Sequence, residues 1–337
     1  MNSYIYQRYV YATLFDFFTE NKCPDFLFKK FIVYMFSKKL EFLRLNKLTV
    51  AIGHLLQKCY SEVNDLILRR IHRYSTYIEE ARNIHENLAD SGIDVVIIKT
   101  LSVFPKDISD IDLLIASKED LEKASRVMMR IGYRPAKSGM EQHLWRRLVD
   151  GVVVDVEIHS SIAAAGYEYY PKRLVFERAI FINKVKVPSY IDSILIMASH
   201  LVMKDLYITL SDLLEFGITL KKYIGDEEVL LNEAKKLGLE IPLLSMMYYD
   251  SVINPRDSHE LSSWQKILSS TVLREHYARP SLITVVSSYF RHASKRAKRE
   301  LLGKVLKEVM SIPRGKGLDA LVHYILGLKP TVKRFEE

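Results

Sequence analysis

The chain has 337 residues, 48% of them hydrophobic and 27% charged, which excludes a disordered protein and leaves room for two or three domains. Its formal charge of +8 favours an anionic partner such as a nucleotide or RNA, although a plain excess of surface lysine gives the same number. No run of about 18 uncharged apolar residues is present, so no membrane span is expected.

Three zones follow one another along the chain. Residues 1–75 are rich in aromatics and read as a helical region, and the first 18 lack the basic segment and cleavage site of a signal peptide. The two cysteines, Cys23 and Cys59, have no metal-type spacing and suit a reducing, cytoplasmic setting. Residues 76–188 hold the strand-like runs, and residues 189–337 turn helical again and end in a basic tail. Four glutamines beside many Lys and Glu fit a thermophilic source.

The middle zone reads element by element. "STYIEEARNIHENLADSG" carries a helical stripe at Tyr77, Ile78, Ala81, Ile84 and Leu88, with Gly92 placed to end it. "IDVVIIK" is a buried strand by composition, and the turn-rich "TLSVFPKDIS" leads into a second strand, "SDIDLLI". The next segment opens at Ser117, with Asp120 three residues on, carries a stripe at Leu121, Ala124, Met128 and Ile131, and stops at Gly132. "HLWRRLVDGVVVDVEIH" then reads as a hairpin turning at Asp150-Gly151. The order predicts an α+β fold: a small mixed or antiparallel sheet with helices on one face, flanked by helical regions at both ends.

The acids in these strands carry the chemistry. Strand alternation puts Asp110 and Asp112 on one face, away from Ile111, Leu113 and Ile115. In the last strand Asp155, Glu157 and His159 share a face opposite Val152, Val154, Val156 and Ile158. A D-x-D on a half-solvated strand is often mere surface, but a second acid strand in the same small sheet is a stronger signal. Carboxylates converging on one point need a cation or a proton, and oxygen ligands suit Mg²⁺.

"SDIDLLI" resembles the Asp-x-Asp strand of the DNA polymerase β-like nucleotidyltransferase superfamily. The wider stretch, roughly residues 76–245, is similar to its uncharacterised nucleotidyltransferase family, with "IDVVIIKT" before the acids and "VEIH" after them. The resemblance implies a nucleoside triphosphate substrate, such as ATP, and two Mg²⁺ ions held by Asp110, Asp112 and Glu157, with Asp155 as the alternative third carboxylate. A nucleoside monophosphate would pass to an RNA, protein or small-molecule acceptor with release of pyrophosphate. Asp155 and Glu157 lie about 6.6 Å apart on one strand face, so they cannot be equally placed. By the same resemblance Lys99 would bind nucleotide; Thr100 or Ser102 offers a hydroxyl to phosphate, His159 fits a nucleotide contact, the orienting of an acid or a satisfied strand-end histidine, and His200 and Asp212 are read as structural or pocket-lining.

One feature departs from the superfamily. Where Gly-Ser or Gly-Gly normally lets the backbone approach the triphosphate, this chain has Lys99-Thr100-Leu101-Ser102. That keeps open the alternative of a degenerate, non-catalytic protein that binds nucleotide or RNA. Arg291, Lys295, Arg296, Lys298 and Arg299 in "RHASKRAKRE" fit either an RNA-binding face or an ordinary solvated one.

Overall fold

The computed structural model describes residues 3–254 apart from 39, 61–64, 139–141 and 165–166, and, beyond these, 271–273, 278–281, 284–285, 287–288 and 291–292. Four helices come first: α1 (Ser3–Glu20), α2 (Phe26–Lys38), α3 (Leu40–Leu45) and α4 (Thr49–Tyr60). The long α5 (Asp65–Asp90) then runs unbroken through residue 75. Gly92, at φ +71°, ends it: the Gly92 and Ile93 N–H groups donate to the Ala89 and Leu88 carbonyls, an arrangement that needs the left-handed conformation glycine tolerates.

Strands β1 (Val95–Ile98) and β2 (Ile111–Ile115) come next, then α6 (Lys118–Arg130), β3 (Arg134–Ser138), β4 (Gln142–Val149) and β5 (Val152–His159). The Ser117 hydroxyl accepts from the Asp120 N–H at 3.0 Å, the cap expected for α6. Asp150 and Gly151, at φ +48° and +78°, make the expected tight turn between β4 and β5. The sheet order is β1-β2-β5-β4-β3, antiparallel except where β2 runs parallel to β5. The α+β fold with a small mixed sheet is therefore present.

Both faces of this sheet are covered near its centre, not one as the strand patterns suggested. Ile111, Leu113, Ile115, Val154, Val156 and Ile158 pack with Tyr77, Ala81, Ile84 and Leu88 of α5 and with α6. On the other face Val96, Ile98 and Leu114 join a second core formed by both helical regions. The C-terminal part of that core comprises α8 (Tyr190–His200), α9 (Leu210–Thr219), α10 (Glu227–Leu237) and α11 (Glu240–Ile253). The N-terminal helices supply Val10, Leu14, Phe28 and Leu55 to it, so the helices before and after the sheet share one interior. The helical cover explains why β2 is buried throughout and carries Leu114 where a half-wet strand would place a polar residue beside Asp112.

Between β5 and α8 lie hairpin β6 (Ile162–Ala164)–β7 (Tyr167–Tyr170), α7 (Lys172–Glu177) and hairpin β8 (Ile180–Ile182)–β9 (Val185–Val187). Cys23 and Cys59, read from sequence as suited to a reducing setting, are joined in a disulfide with their Cα atoms 5.7 Å apart. Among the described residues no helix is long and apolar enough to cross a membrane.

Candidate functional site

The parallel register of β2 and β5 sets Asp112 directly opposite Glu157. Both carboxylates lie on the face away from α5, on the wall of a cavity of about 550 Å³ between the sheet and the helical core. Asp110, just before β2, lines the same cavity. The Ser109 hydroxyl donates to its Oδ1 at 2.8 Å. The Tyr77 hydroxyl, within hydrogen-bond distance of the Ser109 and Val153 carbonyls, fixes this approach to β2 against β5.

Asp112 is 5% exposed, and the protein itself supplies its positive charge. The Lys99 ammonium lies 3.0 Å from Oδ1 and His159 Nε2 2.8 Å from the same oxygen. Burial alone would raise the Asp112 pKa, but Lys99 and His159 hold the carboxyl well below the usual carboxylate range. Burial would lower the Lys99 pKa, yet Asp112, with smaller help from Tyr169 and Asp110, raises it above the ordinary lysine value. His159 Nε2 also stands 3.7 Å from Glu157 Oε2. The cation that converging carboxylates require is thus in part an internal one.

The missing glycine has a conformational counterpart. Lys99 adopts φ +61°, the left-handed region that costs a side chain about 1–2 kcal/mol, and the turn after β1 is made there. The Thr100 hydroxyl is occupied by that turn, accepting from the Asp112 N–H at 2.8 Å and donating to the Ile98 carbonyl at 3.3 Å. Ser102 Oγ is buried on the cavity wall with no hydrogen-bond partner among the described residues. Asp155 stands apart from the cavity lining: Arg146 Nε and Nη2 hold its two oxygens at 2.7 and 3.0 Å.

Sequence reading missed the far wall. Lys47, in the turn between α3 and α4, and Arg44, near the end of α3, line the cavity, although neither belongs to a motif. His200 and Asp212 line it too. His200 Nδ1 is 2.8 Å from the Tyr169 hydroxyl and its Nε2 is 3.2 Å from Asp205 Oδ1. Burial, together with nearby Lys99, lowers its pKa, which suits a neutral ring accepting from Tyr169. Asp205 sits in a π-helical turn, Leu201–Asp205, that extends α8 into the cavity wall. Of the basic run at 291–299, Arg291 is described and pairs with Glu240, Nη2 to Oε1 2.7 Å; Lys295, Arg296, Lys298 and Arg299 lie outside the described residues.

A metal can be tested against these donors. Oxygens of Asp112 and Glu157 and a nitrogen of His159 lie within 4.8 Å of one another, and Asp110 lines the same cavity. The carboxylates fit the oxygen preference of Mg²⁺; a histidine nitrogen does not. Lys99 competes for Asp112 Oδ1, so a cation shares or displaces that contact.

Among known proteins, a family model described as an uncharacterised nucleotidyltransferase matches residues 68–252. A crystal structure from H. pylori that carries a nucleotidyltransferase name is similar at 13% identity and a TM-score of 0.31, covering 66% of this chain and 96% of that one. No curated protein matches.

Proposed function

The chain belongs to the uncharacterised nucleotidyltransferase family, and from that premise we propose that the cavity performs magnesium-dependent nucleotidyl transfer from a nucleoside triphosphate. The observation that supports this reading is the pairing of Asp112 with Glu157 across β2 and β5 on the wall of a cavity that Asp110 also lines. Asp110, Asp112 and Glu157 would hold Mg²⁺, which when bound neutralises phosphate charge and stabilises the entering and leaving oxygens. Glu157 is the third carboxylate in this reading, because Asp155 is engaged by Arg146 away from the cavity. Lys99, released from Asp112, turns its ammonium toward the phosphates, and His159 keeps its contact with Asp112 Oδ1. The acceptor oxygen bonds to the α-phosphorus as its proton passes to solvent, and the bond from the α-phosphorus to the departing pyrophosphate breaks.

A second reading, a nucleotide-binding protein without turnover, draws on the Lys99–Asp112 contact, which satisfies a would-be metal ligand internally. Thermal unfolding with and without Mg²⁺ and triphosphate separates the readings from a protein that binds no nucleotide. The wild type gains stability by mass action, about 2.7 kcal/mol at a ligand concentration of 100 Kd, and Asp110→Asn gains little. A gain without transfer to any acceptor supports the second reading, and no gain in the wild type contradicts both.

A further inference from the structure

We propose that Arg44 and Lys47, in the N-terminal helical region ahead of the family-matched residues, form the subsite for the β- and γ-phosphates of the triphosphate, taking over from the absent glycine loop. The inference rests on the reading of the cavity as a nucleotide site.

The Lys47 side chain stands among acids with which it makes no bond. Burial would lower its pKa, but Asp212, Tyr207, Asp205 and Asp110 raise it, so the ammonium stays charged. Among the described residues it makes no hydrogen bond or ion pair. Two of the neighbouring carboxylates are already engaged: Asp212 Oδ2 accepts from the Thr209 N–H and hydroxyl at 2.8 and 2.7 Å, and Asp205 pairs with His200. Arg44 Nε and Ser102 Oγ are buried on the wall of the same cavity with no hydrogen-bond partner among the described residues. Buried donors left unpaired are costly, and two of them beside the half-buried, unbonded Lys47 ammonium on one cavity wall point to a ligand rich in acceptor oxygens.

The turn that carries them is built to stay in position. Lys47 adopts φ +53°, and its carbonyl accepts from the Asp107 N–H at 3.3 Å. Asp107 in turn caps α4, its Oδ2 accepting from the Thr49 N–H at 2.8 Å. On the other side the Asn46 carbonyl oxygen Oδ1 accepts from the Leu210 N–H at 2.9 Å, at the start of α9. The connection that follows Lys99, where the superfamily places its glycines, is therefore clamped to the same turn that presents Lys47. Seven carboxylates and five Lys or Arg side chains line the cavity, so an anion enters it best together with its divalent cation.

Titration calorimetry of the full chain with Mg²⁺ present, against ATP, inorganic pyrophosphate and AMP, tests the subsite. Lys47→Met and Arg44→Met each weaken ATP and pyrophosphate by about tenfold to a hundredfold and leave AMP within about twofold, and Lys47→Arg restores most of the loss. Should Lys47→Met fail to fold, Arg44→Met carries the test. Unchanged ATP and pyrophosphate affinities, or equal losses for ATP and AMP, overturn the inference. ATP binding that needs Asp112 but ignores both cations leaves the transfer reading intact and removes the subsite. Pyrophosphate held through Lys47 without ATP binding does the reverse, and a folded wild type that binds neither removes both.

Discussion

Replacing Lys99 by Met keeps the apolar stem and removes the ammonium 3.0 Å from Asp112 Oδ1, leaving a carboxylate that is 5% exposed with His159 Nε2 at 2.8 Å as its remaining close partner. Breaking a buried ion pair costs about 3–5 kcal/mol. The Lys99 side chain is 24% exposed and the cavity admits solvent, which brings the expectation to about 3 kcal/mol, or about 6 °C in Tm for a chain of this size. The pH dependence has a definite sign. Asp112 is held below its unfolded value, so its share of the stabilisation is complete above about pH 3.9 and fades as pH falls toward the folded value. Lys99 is held above its unfolded value, so its share is complete below about pH 10.4 and fades as pH rises beyond. The variant should therefore lose most at neutral pH and converge on the wild type in acid. Mg²⁺ alone should raise its Tm more than that of the wild type, because a cation no longer competes with the Lys99 ammonium for Asp112. Differential scanning fluorimetry between pH 3 and 8, with and without Mg²⁺, measures all of this. A variant as stable as the wild type at pH 7, or equally destabilised at pH 3 and pH 7, refutes the reasoning.

Other outcomes follow from the same geometry. Asp155→Ala removes a partly exposed pair with Arg146, so it should cost less than about 1 kcal/mol in Tm analysis and leave nucleotide binding unchanged, whereas Glu157→Gln should lose Mg²⁺-dependent triphosphate binding in calorimetry. Cys23→Ser opens a bridge between residues 36 apart and should cost about 4 kcal/mol by the loop-entropy relation; thiol titration of the denatured wild type should find no free thiol without reductant.

Much of the sheet is legible in the sequence because its signals are local. The cap at Ser117, the stops at Gly92 and Gly132 and the turn at Asp150-Gly151 each depend on residues within a few positions of one another. The parity of Asp112 and Glu157 is legible too, but their adjacency depends on β2 and β5 pairing in parallel across a helix and a hairpin, which spacing does not specify. Thr100 shows the limit for single residues: its hydroxyl suits a phosphate by type, and only the fold reveals that the Asp112 N–H and the Ile98 carbonyl already use it. Lys47 and Arg44 were illegible because nothing around them forms a motif; a long-range clamp through Asp107 and Asn46 brings them to the cavity. The buried second face of β2 likewise comes from helices far along the chain.

The central claim, that Asp110, Asp112 and Glu157 serve nucleotidyl transfer, is tested most directly by label transfer. The wild type, Asp112→Asn and Glu157→Gln are each incubated with α-labelled triphosphates, Mg²⁺ and acceptor pools of RNA, protein and small molecules. The account predicts label in one pool with the wild type, lost by at least about a hundredfold in both variants while their folds persist. Transfer that survives either substitution, or a wild type that labels no pool, would contradict it.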